Sequence, residues 1–335
     1  MFEKIAAKIK EANSIIIFPH TSMDGDSVAC SKALYLALSA LGKKVFILVD
    51  EPVPDHVSFL GGSEFMTYSK YISDLFKLRC QTVFGNPLDQ DFYYDLAFAV
   101  DCSDFSRIEN RRDIWDQAKT TVCIDHHPGV NDFADLIVRD EKASAAALLV
   151  YKFLKESGYT INNDIAKALY TGIVTDTGAF KYSNTDSETF KVASELLKFD
   201  IDNASICANI FDNKPLKQLE LESYALNHVE LYKDGMLAVS AIPFDVWSKM
   251  NVPYSYTESS IDVIRSIKGV EIAILLKEKE PNLFKASMRA KTFANVQGIA
   301  TKLGGGGHEK AAACTLEMSL IEAKTLVINE AEAVL

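Results

Sequence analysis

Four short segments of this chain carry acids and imidazoles directly after apolar runs. His20, Asp24 and Asp26 follow "SIIIF", and Asp101 follows "LAFAV". Asp125, His126 and His127 follow "TVCI", and Asp176 follows "ALYTGIV". The chain has six histidines, and two of them are neighbours at 126 and 127. Aspartates gathered in one cleft repel one another unless positive charge is supplied. Two divalent cations would supply it. Carboxylate oxygen with imidazole nitrogen, and no thiolate, suits Mn²⁺ better than Ca²⁺ or a thiolate zinc site. Mg²⁺ and Co²⁺ also fit these donors. The Asp24-x-Asp26 spacing lets two carboxylates reach neighbouring ions, with a further carboxylate as a bridge. Taken singly, Asp24 or Asp26 reads as a helix cap and Asp101 as a turn residue. Asp176 alone reads as a cap or helix breaker before Gly178, and His20 alone as a polar loop residue. Capping does not account for the histidines, so the set reads as one metal site.

These residues need a frame that brings strand ends together. "SIIIF" (14–18), "KVFILVD" (44–50), "DLAFAVD" (95–101), "TVCID" (121–125) and "DLIVRD" (135–140) read as strands. Helical patterns lie between and after them, at about 26–41, 142–157, 162–175 and 186–199. Continuous Val/Ile/Leu runs alternating with helices predict a parallel sheet buried on both faces. Ligands bind at the carboxyl ends of such strands. Residues 203–231 are helical in pattern, with a break at "DNKP" (212–215). Beyond them "MLAVSAI", "VEIAILLKE" and "LFKASMRAK" read as strands. A helix, a glycine run, the strand "AAACTLE" and a helix from Ser319 follow. The expected architecture is α/β in two domains, with the metal cleft between them. Residues 1–200 form the catalytic parallel-sheet domain, 201–231 a helical connector, and 232–335 a smaller substrate-binding α/β domain.

Composition narrows the partners. Hydrophobic content of 48% and charged content of 24% describe a folded globular chain. A net charge of −11 argues against long duplex DNA but not against a small phosphorylated ligand reached through metals. No run approaches the ~18 apolar residues of a membrane span. The opening "MFEKIAAKIKEANS" is a charged amphipathic helix rather than a signal peptide, so the expected location is cytoplasmic. Cysteines at 30, 80, 102, 123, 207 and 314 form no C-x-x-C pair and read as reduced core residues.

The motifs "PHTSMDGDS", "VDCSD", "IDHHPG" and "TGIVTDTGAF" resemble, in order, the four motifs of the DHH phosphoesterase superfamily. "SMRA" (287–290) with "GGGGHEKAAA" (304–313) resembles its DHH-associated C-terminal domain. The whole pattern is similar to stand-alone bacterial oligoribonucleases that degrade very short RNAs and dephosphorylate pAp. The resemblance implies one cation on His20, Asp24 and Asp101, and another on Asp26, Asp101, His126 and Asp176. Asp101 would bridge the two. Asp125 would orient an imidazole, and His127 would face the substrate phosphate. Strand alternation would let the two histidines face different partners. Ala29 and Cys314 stand where the family often has glycine; both are packing positions.

Two ions about 3.5–4 Å apart can hold a hydroxide aligned for in-line attack on phosphorus. A protonated His127 would stabilise developing charge or donate to the leaving oxygen. Arg289 and the run Gly305, Gly306, Gly307 and His308 are the expected phosphate-binding residues. Between Lys277 and Lys310, seven Lys/Arg face three Glu, a local excess of four positive charges, read as a phosphate-binding wall. The expected substrates are short single-stranded oligoribonucleotides and the 3′-phosphate of pAp. A phosphodiesterase acting on c-di-AMP or pApA shares every metal ligand and stays open. A pyrophosphatase or exopolyphosphatase ranks lower, because its second domain resembles a different type without "GGGGH". A non-catalytic nucleotide sensor would be expected to lose ligands that are intact here. The resemblance is also compatible with a homodimer through the first domain.

Overall fold

Three consecutive isoleucines, Ile15, Ile16 and Ile17, set the frame of the first unit. They lie in β1 (Ser14–Pro19) and are wholly buried. Alternation sends Ile15 and Ile17 to one face of the sheet, and Ile16 and Phe18 to the other. Each such burial contributes about 1.5–3 kcal/mol. Strands buried on both faces are the condition for a parallel sheet between two layers. The structure, a computed structural model, describes residues 1–74, 94–128 and 132–335. Cys80 lies outside them. The chain divides into two compact units, Met1–Asn213 and Lys214–Leu335.

In the first unit, β1 is joined by β2 (Lys44–Val49), β3 (Phe65–Thr67), β4 (Leu96–Val100), β5 (Thr121–Asp125) and β6 (Leu136–Arg139). All pairs are parallel, in the order β3-β2-β1-β4-β5-β6. The order reverses between β1 and β4, and the crevice at that switch point is where open α/β sheets bind ligands. One face is covered by α1 (Phe2–Glu11) and α2 (Gly25–Ser39), with α3 (Ala146–Glu156) and α4 (Asn163–Asp176). α5 (Ser187–Leu196) and α6 (Asn203–Phe211) join the same core through Val192, Ala193, Leu196 and Ile206. The other face packs Phe18 and Ala99 against Tyr71, Ile108 and Trp115. No helix among the described residues is long and apolar enough to cross a membrane.

The second unit begins with α7 (Leu216–Asn227), β7 (Glu230–Tyr232), β8 (Leu237–Ile242), α8 (Phe244–Lys249) and α9 (Ser260–Arg265). It continues with β9 (Ile272–Glu280), β10 (Leu283–Ala290), α10 (Val296–Lys302), β11 (Gly306–His308), β12 (Ala311–Glu317) and α11 (Leu320–Glu332). Its sheet runs β11-β12-β10-β9-β8-β7; β8 and β9 are parallel and the other pairs antiparallel. α10 and α11 cover one face through Val296, Ile299, Ala323 and Val327. α7 and α9 cover the other through Leu221, Ala225, Ile261 and Ile264.

The long runs match their sequence patterns, and the differences have local causes. The segment 201–231, read as a connector, is divided between the units: Ile206 packs into the first core, Leu221 and Ala225 into the second. Its end is strand β7 rather than helix. The helix expected from 142 starts at Ala146, because Ala145 is extended at φ −162°. The glycine run is partly a strand, since β11 pairs with β12.

Candidate metal centre

Register places the first two residues. Pro19 of β1 pairs with Val100 of β4, so His20 and Asp101 leave the sheet side by side at the switch point. Val100 in turn pairs with Ile124, which puts Asp125 next in the row. Asp101 adopts φ +58°, a left-handed conformation that non-glycine residues hold at a cost. The N-terminus of α2 adds Asp24 and Asp26, and the C-terminus of α4 adds Asp176.

The distances describe one centre around Asp101. Its Oδ2 lies 3.5 Å from His20 Nε2, and its Oδ1 lies 3.5 Å from His126 Nε2. Asp24 Oδ2 is 3.5 Å from the same His20 Nε2, and Asp176 Oδ2 is 3.6 Å from His126 Nε2. His20, Asp24 and Asp101 offer three donor atoms within 4.8 Å of one another, as do Asp26, Asp101 and His126, and Asp101, Asp125 and His127. Asp101 belongs to all three groups. Separations near 3.5 Å are long for hydrogen bonds. Two donors each about 2.1 Å from a shared ion, at right to tetrahedral angles, lie about 3.0–3.5 Å apart.

The electrostatics ask for positive charge. Asp101 is buried and its Oδ1 has no hydrogen-bond partner. Burial pushes Asp101 up, but His126 and His20 outweigh it and hold the carboxyl well below its usual range. Burial first, then Asp101 and Asp176, pushes Asp26 well above its usual range. Asp176 is pushed up to about 7, by burial foremost, against the pull of His126. Burial opposes charge on His20, yet Asp24 and Asp101 raise it to about 10. His126 is likewise raised well above its usual value by Asp101 and Asp176, against burial. Two carboxylates, Asp26 and Asp176, and two imidazoles, His20 and His126, that hold protons this strongly around the orphaned buried oxygen of an ionised Asp101 fit divalent cations.

Several residues serve the fold as well. Asp24 Oδ1 caps α2, accepting from the N–H groups of Asp26 at 3.1 Å and Ser27 at 3.0 Å, while Oδ2 turns to His20. Asp26 accepts from the N–H groups of Ala146 at 2.6 Å and Ala147 at 3.0 Å, so it closes the start of α3, whose own cap residue has no side-chain acceptor. His126 Nδ1 meets the carbonyl of Ala143 at 3.0 Å, which directs Nε2 at Asp101.

The strand-alternation reading of His126 and His127 is corrected. β5 ends at Asp125, so both histidines lie beyond the pleat. Their rings pack edge to face with centroids 4.7 Å apart. His127 Nδ1 is 3.4 Å from Asp101 Oδ1, the oxygen that also faces His126. What separates them is Asp125, whose Oδ1 is bonded to His127 Nδ1 at 2.8 Å.

In the second unit, Arg289 pairs with Ala311, and Ala311 with His308, so Arg289 and His308 share one row of the sheet with a small residue between them. The glycines are needed for packing. A Cβ on Gly305 would lie 2.1 Å from the carbonyl oxygen of Ala313, and one on Gly307 2.5 Å from that of Ala311. Most of the local basic excess is answered internally. Lys277 and Lys285 bind Glu258, Lys291 binds the carbonyl of Ile267, Lys302 binds Glu330, and Lys310 binds Glu309. Two arginines escaped the sequence reading. Arg107 Nη2 stands 2.9 Å from His20 Nδ1, and Arg139 Nε stands 3.7 Å from Asp125 Oδ2. The signal for Arg107 was its place in "VDCSDFSR", just past a strand end.

Residues 14–173 match the DHH family, N-terminal domain, and residues 251–335 match the DHHA1 domain. This chain belongs to the DHH family. This DHH protein is a metal-dependent phosphoesterase. It is 28% identical over 308 residues to a probable bifunctional oligoribonuclease and PAP phosphatase NrnA of Streptococcus mutans, covering 92% of this chain and 91% of that one. It is 28% identical over 316 residues to the NrnA of Thermus thermophilus, covering 94% and 88%. A cyclic-di-AMP phosphodiesterase PdeA of Listeria monocytogenes is 24% identical over 333 residues, 97% of this chain and 48% of that protein. Among solved structures, an exopolyphosphatase-related protein from Bacteroides fragilis superposes with a TM-score of 0.87 at 25% identity, covering 99% of this chain and 95% of that one.

Proposed function

We propose that this DHH protein hydrolyses terminal phosphodiesters of short single-stranded oligoribonucleotides and removes the 3′-phosphate of pAp. The observation that carries the reading is the Asp101 carboxylate, with one oxygen 3.5 Å from His20 Nε2 and the other 3.5 Å from His126 Nε2. On this reading His20, Asp24 and Asp101 hold one cation. Asp26, Asp101, His126 and Asp176 hold a second. Mn²⁺ is the favoured ion, with Mg²⁺ and Co²⁺ compatible. Divalent cations held there supply a Lewis acid for phosphoryl oxygens and a hydroxide nucleophile near neutral pH. The chain's own share is placement and proton handling. Asp125 fixes the ring of His127, which delivers a proton or hydrogen bond to the leaving oxygen. Arg289 and His308, in one row of the second sheet, bind a further phosphate or base of the substrate. The names of the NrnA relatives, each spanning most of this chain, support the substrate class.

The test is a panel of purified protein with Mn²⁺, Mg²⁺ or Co²⁺ against a ribodinucleotide, pAp, pApA and c-di-AMP. Turnover of the dinucleotide and pAp ahead of c-di-AMP supports the proposal. Fastest turnover of c-di-AMP replaces it with the cyclic-dinucleotide reading. Tight nucleotide binding without turnover under any of these metals replaces it with a sensor.

A further inference from the structure

Arg139 is the last residue of β6 and pairs in register with Asp125, the last residue of β5. Paired residues of neighbouring parallel strands point to the same face. Two residues earlier, Cys123 and Ile137 are paired on the face that packs Trp115. Arg139 Nε stands 3.7 Å from Asp125 Oδ2. Both atoms are buried, and neither has a hydrogen-bond partner among the described residues. Arg139 Nη1 also lies 3.5 Å from Asp132 Oδ1, but the Asp132 side chain is 78% exposed. Solvent screens that second attraction, so the buried carboxylate is the stronger partner.

A carboxylate turns about its last torsion at little cost. Asp125 gives Oδ1 to His127 Nδ1 at 2.8 Å. The guanidinium attracts Oδ2 to the β6 side and resists any turn away from that arrangement. His127 has a second acceptor within reach, since Asp101 Oδ1 lies 3.4 Å from the same Nδ1. That Asp101 oxygen also faces His126 Nε2 at 3.5 Å. An Asp125 carboxylate held in place keeps His127 on Asp125 and leaves Asp101 to its other neighbours.

We propose that Arg139 is a positioning residue for the hydrolysis: it fixes the Asp125 carboxylate and, through it, the ring of His127. The proposal rests on the reading of His127 as the group that serves the leaving oxygen. In this role Arg139 acts only through Asp125, so its loss slows turnover and leaves binding unchanged.

The experiment uses full-length protein with Mn²⁺ and pAp. The variants are Arg139→Met, Arg139→Lys, Asp132→Asn, Asp125→Asn and the double variant Asp125→Asn with Arg139→Met. In Arg139→Met, kcat should fall about tenfold, with KM and Mn²⁺ affinity within about twofold of the parent. Arg139→Lys keeps the charge and should recover most of the loss, and Asp132→Asn should stay within about twofold of the parent. The double variant should be no slower than Asp125→Asn alone, because one removal already breaks the chain of contacts. An unchanged kcat in Arg139→Met would overturn the proposal. So would an equal loss in Asp132→Asn, or a double variant that shows the product of the two single losses. If Arg139→Met melts below the assay temperature, Arg139→Gln takes its place in every comparison. If the parent turns over no nucleotide, the proposed function fails. Denaturant unfolding of the same single and double variants then decides separately: losses smaller together than in sum keep the Arg139–Asp125 coupling, and additive losses end it.

Discussion

His127 donates from Nδ1 to Asp125 Oδ1 at 2.8 Å, and Asp125 is wholly buried. The bond places the ring proton on Nδ1 and fixes the ring's orientation. Burial opposes charge on His127, but Asp125 and Asp101 outweigh it and raise the imidazole above its usual value. A ring held this way is suited to give a proton to a leaving oxygen at neutral pH.

Asp125→Asn tests that arrangement. The amide can donate to Nδ1 and so favours the opposite tautomer. Expected is a fall in kcat of about 10–100-fold with Mn²⁺ affinity changed by about threefold or less. Loss of Mn²⁺ binding instead would show that Asp125 is itself a ligand.

Asp101 combines a charge with an unusual backbone. Asn tolerates φ near +58° as readily as Asp does, whereas Ala does not. Asp101→Asn should therefore escape the backbone cost, lower the melting temperature of the metal-free protein through the lost pairing with His20 and His126, and lose activity by about 10³-fold or more. Asp101→Ala should lose activity equally and also cost about 1 kcal/mol of stability. Full activity in Asp101→Asn would remove the bridging role.

The raised acids predict a pH effect of definite sign. Asp176, pushed up to about 7, and Asp26, also raised, bind protons in the folded state more tightly than in the unfolded chain. Their contribution to the metal-free protein is present at low pH and is lost as pH rises through about 7. Cations compete with those protons, so metal affinity rises over the same interval. Thermal melting at pH 6 and pH 8, with and without Mn²⁺, should show a larger stabilisation by metal at pH 8. Equal stabilisation at both values would count against Asp176 as a ligand.

Gly172 lies where α4 passes α2 and α3. A Cβ there would stand 2.6 Å from Asp26 Oδ1, 2.7 Å from Ala147 Cβ and 3.0 Å from Ala29 Cβ. Gly172→Ala should destabilise by about 1–3 kcal/mol and weaken Mn²⁺ binding, because the displaced carboxylate is a candidate ligand. Denaturant titration and metal titration read the two effects separately.

Arg111 ties the ends of two strands. Its side chain is wholly buried, with Nη1 on the Leu48 carbonyl at 2.5 Å and Nη2 on the Pro19 carbonyl at 2.8 Å and Asp50 at 3.0 Å. Arg111→Met should cost about 3–5 kcal/mol, since Asp50 loses its counter-charge. Pro19 precedes His20, so metal affinity should fall with it. A variant as stable as the parent would show that Asp50 is solvated in solution.

The sequence by itself determined that acids and imidazoles stand at the ends of four buried segments. Apolar runs such as 14–18 and 121–125 are long enough to show their period. A parallel sheet has one carboxyl end, and the residues that leave its strands must gather there. The short elements were not legible: β3, β7 and β11 have three residues each, too few to carry a pattern. Only the tertiary structure decided how the gathered residues divide their work. Asp26 closes a helix about 120 positions further along the chain. His126 and His127 approach one oxygen of Asp101 because the strand stops at Asp125, which alternation could not foretell. Arg107 and Arg111 matter through neighbours that sequence distance hides, His20 being 87 positions from Arg107. Local pattern fixes where a side chain leaves its element. Which groups share its charge depends on strand order and register, and those are set by the packing of the whole sheet.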